Sequence, residues 1–173
     1  MDFHKHALIL AVVERLSSHG SWTGRTHVQK ALSLVSEAAG QSLPFTFVLY
    51  KHGPYSFDLA DELQQMKSYG ALSGEAKAPY GESFKLGSNA DFVKMQWALS
   101  AAEDATVKRV CEFIGSKGVT ELERLATAAW IRSREKIQDP ASVASRLNQL
   151  KPHVSKESAA VADTELCKLL SMK

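Results

Sequence analysis

Between Phe45 and Met66 the apolar residues change their repeat, and that change constrains the fold more than any other feature of the chain. Phe45, Phe47 and Leu49 alternate with Thr46, Val48 and Tyr50, a period of two rich in aromatic and β-branched types, which predicts a strand over 45–51. Beyond Gly53 and Pro54 the period becomes helical. Ser56 is placed to cap a helix over 56–70, Asp58 lies in its first turn where a carboxylate meets the positive end of the dipole, and Leu59, Leu63 and Met66 share one face. The corner Lys51-His52-Gly53-Pro54-Tyr55 therefore joins a strand to a helix, either as a recognition element or as a structural turn that packs its tyrosines inward.

The flanking sequence supplies the rest of the order. Helices are predicted over 3–19 and 26–39, the second with Val28, Ala31, Leu32, Val35 and Ala38 on one face. After Gly70, two short strands over 71–77 and 83–87 turn around Pro79 and Gly81. Helix, helix, strand, helix, hairpin is the order of a winged helix. However, the fifteen residues 41–55 between the second and third helices exceed the roughly three- to four-residue turn of a DNA-reading helix-turn-helix. From Ser88 onward only helical patterns occur: from Ser88 or Asn89 to about Ala101, 104–115, a helix opened by a Thr120/Glu123 capping box, 140–151 behind Asp139-Pro140, and 156–171 behind Ser155. The expected fold is mainly α with a small antiparallel β-sheet made from strand 45–51 and the hairpin 71–87. A winged-helix-like subdomain, 1–87, packs on a helical subdomain, 88–173, as one compact unit.

A chain of 173 residues, 45% hydrophobic, can bury a full core without a covalent staple. Cys111 and Cys167 lie apart within apolar helical patterns and are expected as buried thiols of a reducing compartment, which implies a cytoplasmic protein. The apolar run Ala7–Val13 is too short to span a membrane. Charge is balanced, with eight basic and eight acidic residues in 1–87 and thirteen against eleven in 88–173. That balance argues against a dedicated nucleic-acid surface, which advertises itself by clustered cations.

No catalytic constellation emerges. The six histidines lack metal-ligand spacing, with His4 and His6 read as surface residues at a helix start. Neither cysteine sits in an activating motif, and no nucleophile elbow or phosphate-binding glycine loop is present. Asp58, Asp61 and Glu62 form an acidic group that the helix dipole accounts for. The reading is therefore non-enzymatic, with no cofactor.

Three motifs carry a family resemblance: T-x-V-Q-K-A-L in the second helix, F-x-L-Y-K-H-G-P-Y-S-x-x-L-x-x-x-L across the corner, and E-L-E-R-L-A-T-A-A-W-I at 121–131. With Y-G-A-L before the wing and the closing L-N-Q-L-K-P-H-V-S-K-E-S-A-A-V-A, they resemble the YwgA-like family, and the same module resembles the C-terminal, toxin-binding part of the DarG antitoxins. The resemblance implies a non-catalytic, antitoxin-like interaction module that neutralises or regulates a protein partner, such as an ADP-ribosyltransferase-type toxin. The chain starts at its first helix, so the macrodomain that accompanies the module in DarG is not expected. Ala31 and Ser33 stand where the family carries bulkier residues, so partner specificity is not carried over.

On the protein-binding reading, the partner-binding residues are Lys30, Tyr50, Lys51, His52 and Tyr55. The alternative is a winged-helix DNA-binding regulator using Arg25, Lys30, Lys77 and Lys85, opposed by the acidic N-terminal end of its third helix. A second basic group, Arg132, Arg134, Lys136, Arg146 and Lys151, flanks Trp130 and reads as a solvated helix face or an anion site.

Overall fold

Side-chain caps set where most of the helices begin. In the computed structural model, which describes residues 1–40, 43–79 and 81–172, Asp2 caps α1 (Phe3–Ser18), Ser56 caps α3 (Phe57–Ser68), Asp139 caps α7 (Pro140–Leu150) and Ser155 caps α8 (Lys156–Ser171). Each accepts a hydrogen bond from a main-chain N–H three residues on. The remaining helices are α2 (Arg25–Ala38), α4 (Ala90–Gln96), α5 (Ala101–Ile114) and α6 (Val119–Ser133). With two small antiparallel sheets among the described residues, the chain is mainly α with a minor β component, as the sequence predicts.

The sheets correct the expected pairing. Strand 45–51 does not join the hairpin 71–87. Its last residues form β1 (Val48–Tyr50), which turns through Lys51 and His52 and pairs with β2 (Gly53–Tyr55), while β3 (Leu72–Lys77) pairs separately with β4 (Gly81–Leu86). The reason lies in the flanks. Phe45 and Phe47 are spent on the core, and Gly53 at φ +90° lets the chain fold back on itself at once.

Three boundaries shift for similarly local reasons. α4 ends at Gln96, because Trp97 is extended, and α5 begins under a Ser100/Glu103 capping box. The box expected at Thr120/Glu123 is displaced by Glu121, which accepts the Gly118 N–H at 2.9 Å, so Glu123 is free to face the β1–β2 hairpin.

A single hydrophobic core takes Leu8, Leu32 and Leu63 from the first half together with Val110, Leu125 and Leu166 from the second. α1 packs on α5, and α2 on α5 and α6. The β3–β4 hairpin is tied to the entry of α2, where the Phe84 N–H donates to the Thr23 carbonyl at 3.1 Å and the Thr23 hydroxyl to the Phe84 carbonyl at 2.7 Å. Among the described residues no helix is long and apolar enough to cross a membrane.

Candidate functional site

The β1–β2 hairpin is held by its main chain. Gln29, on α2, brackets Ser56: its Nε2 donates to the Ser56 carbonyl at 2.8 Å and its Oε1 accepts the Ser56 N–H at 2.9 Å. The next residue, Lys30, donates from Nζ to the Pro54 carbonyl at 2.8 Å. From the other side Lys151, at the end of α7, donates to the Lys51 carbonyl. Gly53 lies so close to α6 that an added Cβ would sit 2.8 Å from the Thr127 hydroxyl. The Gln-Lys pair and the Gly-Pro-Tyr-Ser corner, separate motifs in the sequence, are thus the two halves of one clamp.

Because the clamp grips carbonyls and N–H groups, the hairpin's side chains remain available. Tyr50 and Phe57 are each 57% exposed, Tyr55 is half-buried, and the three rings form a closed cluster with centroid separations of 5.8 Å (Tyr50–Tyr55), 5.7 Å (Tyr50–Phe57) and 5.1 Å (Tyr55–Phe57). The cluster borders a pocket of about 360 Å³ against the first turns of α2, where Arg25, Thr26, Gln29 and Lys30 complete the wall. A rigid, partly exposed aromatic cluster beside a cavity is the composition of an interaction hot spot.

The floor of this pocket is cationic. Lys30 is only 2% exposed. Burial pushes its ammonium pKa down to about 8, the Glu123 carboxylate pulls it up and the Lys151 charge adds a smaller downward push. Lys151 is lowered by the same burial and is likewise supported by Glu123. Glu123 also approaches His52, with Oε1 3.1 Å from Nδ1.

The site residues expected from sequence divide sharply. Tyr50, Lys51, His52 and Tyr55 come together on the hairpin, with Lys51 and His52 exposed. Lys30 joins them from beneath, as a buried anchor and not as a surface cation. Of the alternative DNA-binding set, Arg25 is exposed at the pocket mouth, whereas Lys85 pairs with Glu75 and Lys77 lies 5.8 Å over the Trp22 ring, both on the β3–β4 hairpin. Two of the three acids of α3 are already engaged: Asp58 takes Lys5 at 2.7 Å and Glu62 takes His6 at 2.6 Å.

Other expectations are corrected by burial. His6 is fully buried between Glu62 and the Tyr69 hydroxyl, and His4 is half-buried, bonded to Glu103 at 2.6 Å and stacked on Trp97. Cys111 is buried, its thiol pKa pushed up to about 12, but Cys167 is exposed. In the basic group near Trp130, Arg132 binds Asp163 through two bonds, Arg146 binds Glu135, and Arg134 lies over the indole at 5.8 Å.

Sequence reasoning missed Phe57 and Glu123. Phe57 falls off the helical stripe of Leu59, Leu63 and Met66, which marks it as surface-facing, and an aromatic residue on the solvent side of a helix start is a signal in itself. Glu123 carried no comparable mark. No protein-family model matches the chain, and no curated protein matches it.

Proposed function

We propose that the chain is a non-catalytic, cytoplasmic protein-interaction module, antitoxin-like in action, that engages its partner through the Tyr50–Tyr55–Phe57 face of the β1–β2 hairpin. The observation that carries this reading is the division of labour in the clamp: among the described residues the side-chain hydrogen bonds of Gln29, Lys30 and Lys151 all go to main-chain groups of Lys51, Pro54 and Ser56, so the aromatic side chains are left facing solvent together. Holding exposed rings in place lowers the entropy lost on binding, which is how a small patch gains affinity. The resemblance to the YwgA-like family and to the toxin-binding part of the DarG antitoxins supports the same reading and suggests an ADP-ribosyltransferase-type toxin as partner.

The test is co-expression of the chain with the product of its neighbouring gene, followed by affinity measurement on the purified pair. Tyr55→Ala is expected to weaken the complex by about 1–3 kcal/mol with the fold retained. An unchanged affinity would remove the hairpin from the interface, and salt-dependent retention on duplex DNA that survives Tyr55→Ala would favour a DNA-binding function instead.

A further inference from the structure

We propose that the pocket between α2 and the β1–β2 hairpin receives a carboxylate from the partner protein, an Asp or Glu side chain whose apolar or aromatic neighbour covers the Tyr50–Tyr55–Phe57 cluster. The inference rests on the protein-binding reading and adds the chemistry of the recognised group.

Charge complementarity is the first argument. The pocket wall contains Arg25, Lys30 and His52 and no acidic residue. Arg25 is exposed and has no ion-pair partner among the described residues, so its planar guanidinium is available for the two parallel bonds a carboxylate accepts.

The floor supplies the second. Lys30 lines the pocket, and the Glu123 carboxylate that attracts it also attracts Lys151 and lies 3.1 Å from His52. Buried charge is costly unless paired, and of the three protons on the Lys30 ammonium one is taken by the Pro54 carbonyl. An anion entering the pocket would place a negative charge beside Lys30, whose ammonium pKa burial has lowered.

α2 adds a third contribution. Its first turn carries no acidic side chain and its N-cap, Gly24, offers no side-chain acceptor, so the helix itself places no negative group at the positive end of its dipole, beside Arg25 and Thr26.

A protein carboxylate fits better than a nucleic-acid phosphate. Bases that follow one another along a strand need ring faces on which to stack, whereas these three rings meet at 43°, 69° and 74° and close on one another. Charge over the chain is also nearly balanced, at +2.

The experiment pans a phage-displayed library of random twelve-residue peptides against the full chain and measures synthetic versions of the selected peptides by calorimetry. Enriched peptides are expected to share an acidic residue next to an aromatic or aliphatic one. Their Glu→Gln or Asp→Asn versions, and the Arg25→Gln protein, are each expected to bind at least tenfold more weakly. Arg25 has no ion-pair partner to lose, so the thermal melt of Arg25→Gln should match that of the parent, which certifies its fold. Peptides that tolerate neutralisation but lose binding to Tyr55→Ala would overturn the carboxylate while keeping the protein-binding surface. Peptides indifferent to Tyr55→Ala would overturn both. Tighter binding of a twelve-nucleotide oligo-dT than of any selected peptide, or a failure to enrich any peptide, would also overturn the proposal.

Discussion

Gln29 and Ser56 form a closed ring of two antiparallel hydrogen bonds, a side-chain amide imitating the pairing of one strand residue with another. Both partners are buried. Gln29→Ala would leave the Ser56 N–H unpaired, while its carbonyl keeps the Ala60 N–H at 3.1 Å, so the loss should be about 1–3 kcal/mol by urea denaturation. Gln29→Glu is nearly the same shape but carries no donor for the Ser56 carbonyl. It should be at least as damaging at neutral pH and recover in part as the carboxyl is protonated.

Gly53 offers a second test of how tightly the hairpin is seated. At φ +90° a side chain is strained whatever the space, and here a Cβ would also press against the Thr127 hydroxyl. Gly53→Ala is expected to cost about 1–3 kcal/mol from backbone strain, plus the steric conflict. In the Thr127→Ala background only the strain should remain, so the two substitutions should be non-additive in denaturation midpoints.

Between α6 and α8, Arg132 donates to both oxygens of Asp163, whose carboxylate is 2% exposed. Removing the cation strands a buried charge, so Arg132→Ala should destabilise the chain by about 3–5 kcal/mol. Asp163→Asn keeps the shape without the charge and should cost less. Melting of the two variants in parallel checks the order.

Acid should weaken the fold through His27. The ring is 3% exposed and its Nε2 lies 3.3 Å from the Lys117 carbonyl, while Nδ1 has no partner among the described residues. Burial lowers its pKa below the ordinary 6.5. Below that value the unfolded chain takes up a proton that the folded chain resists, so stability is complete above about 6.5 and falls as pH drops toward the folded-state pKa. Melting temperatures between pH 7.5 and 5.5 should fall more steeply for the parent than for His27→Gln.

Much of this was legible in the sequence because helix ends are local chemistry. Ser56, Asp139 and Ser155 declare themselves as caps, and the stripe behind Ser56 names the buried Leu59, Leu63 and Met66. The alternation from Phe45 to Tyr50 also matches the burial pattern, although only its last three residues pair as strand. What stayed hidden is long-range. A lysine in an amphipathic helix reads as solvated until a carbonyl from a distant hairpin is placed over it, as happens to both Lys30 and Lys151. Similarly, Thr120 and Glu123 have capping-box spacing, but that register is already taken by Gly118 and Glu121.

The bond from Lys151 to the Lys51 carbonyl crosses 100 residues of chain. During synthesis the hairpin emerges long before α7 exists, and until residue 151 arrives the Lys51 carbonyl lacks this partner. A copy cut short before α7 would carry Tyr50, Tyr55 and Phe57 on a hairpin whose turn has lost its contact with the end of the helical half.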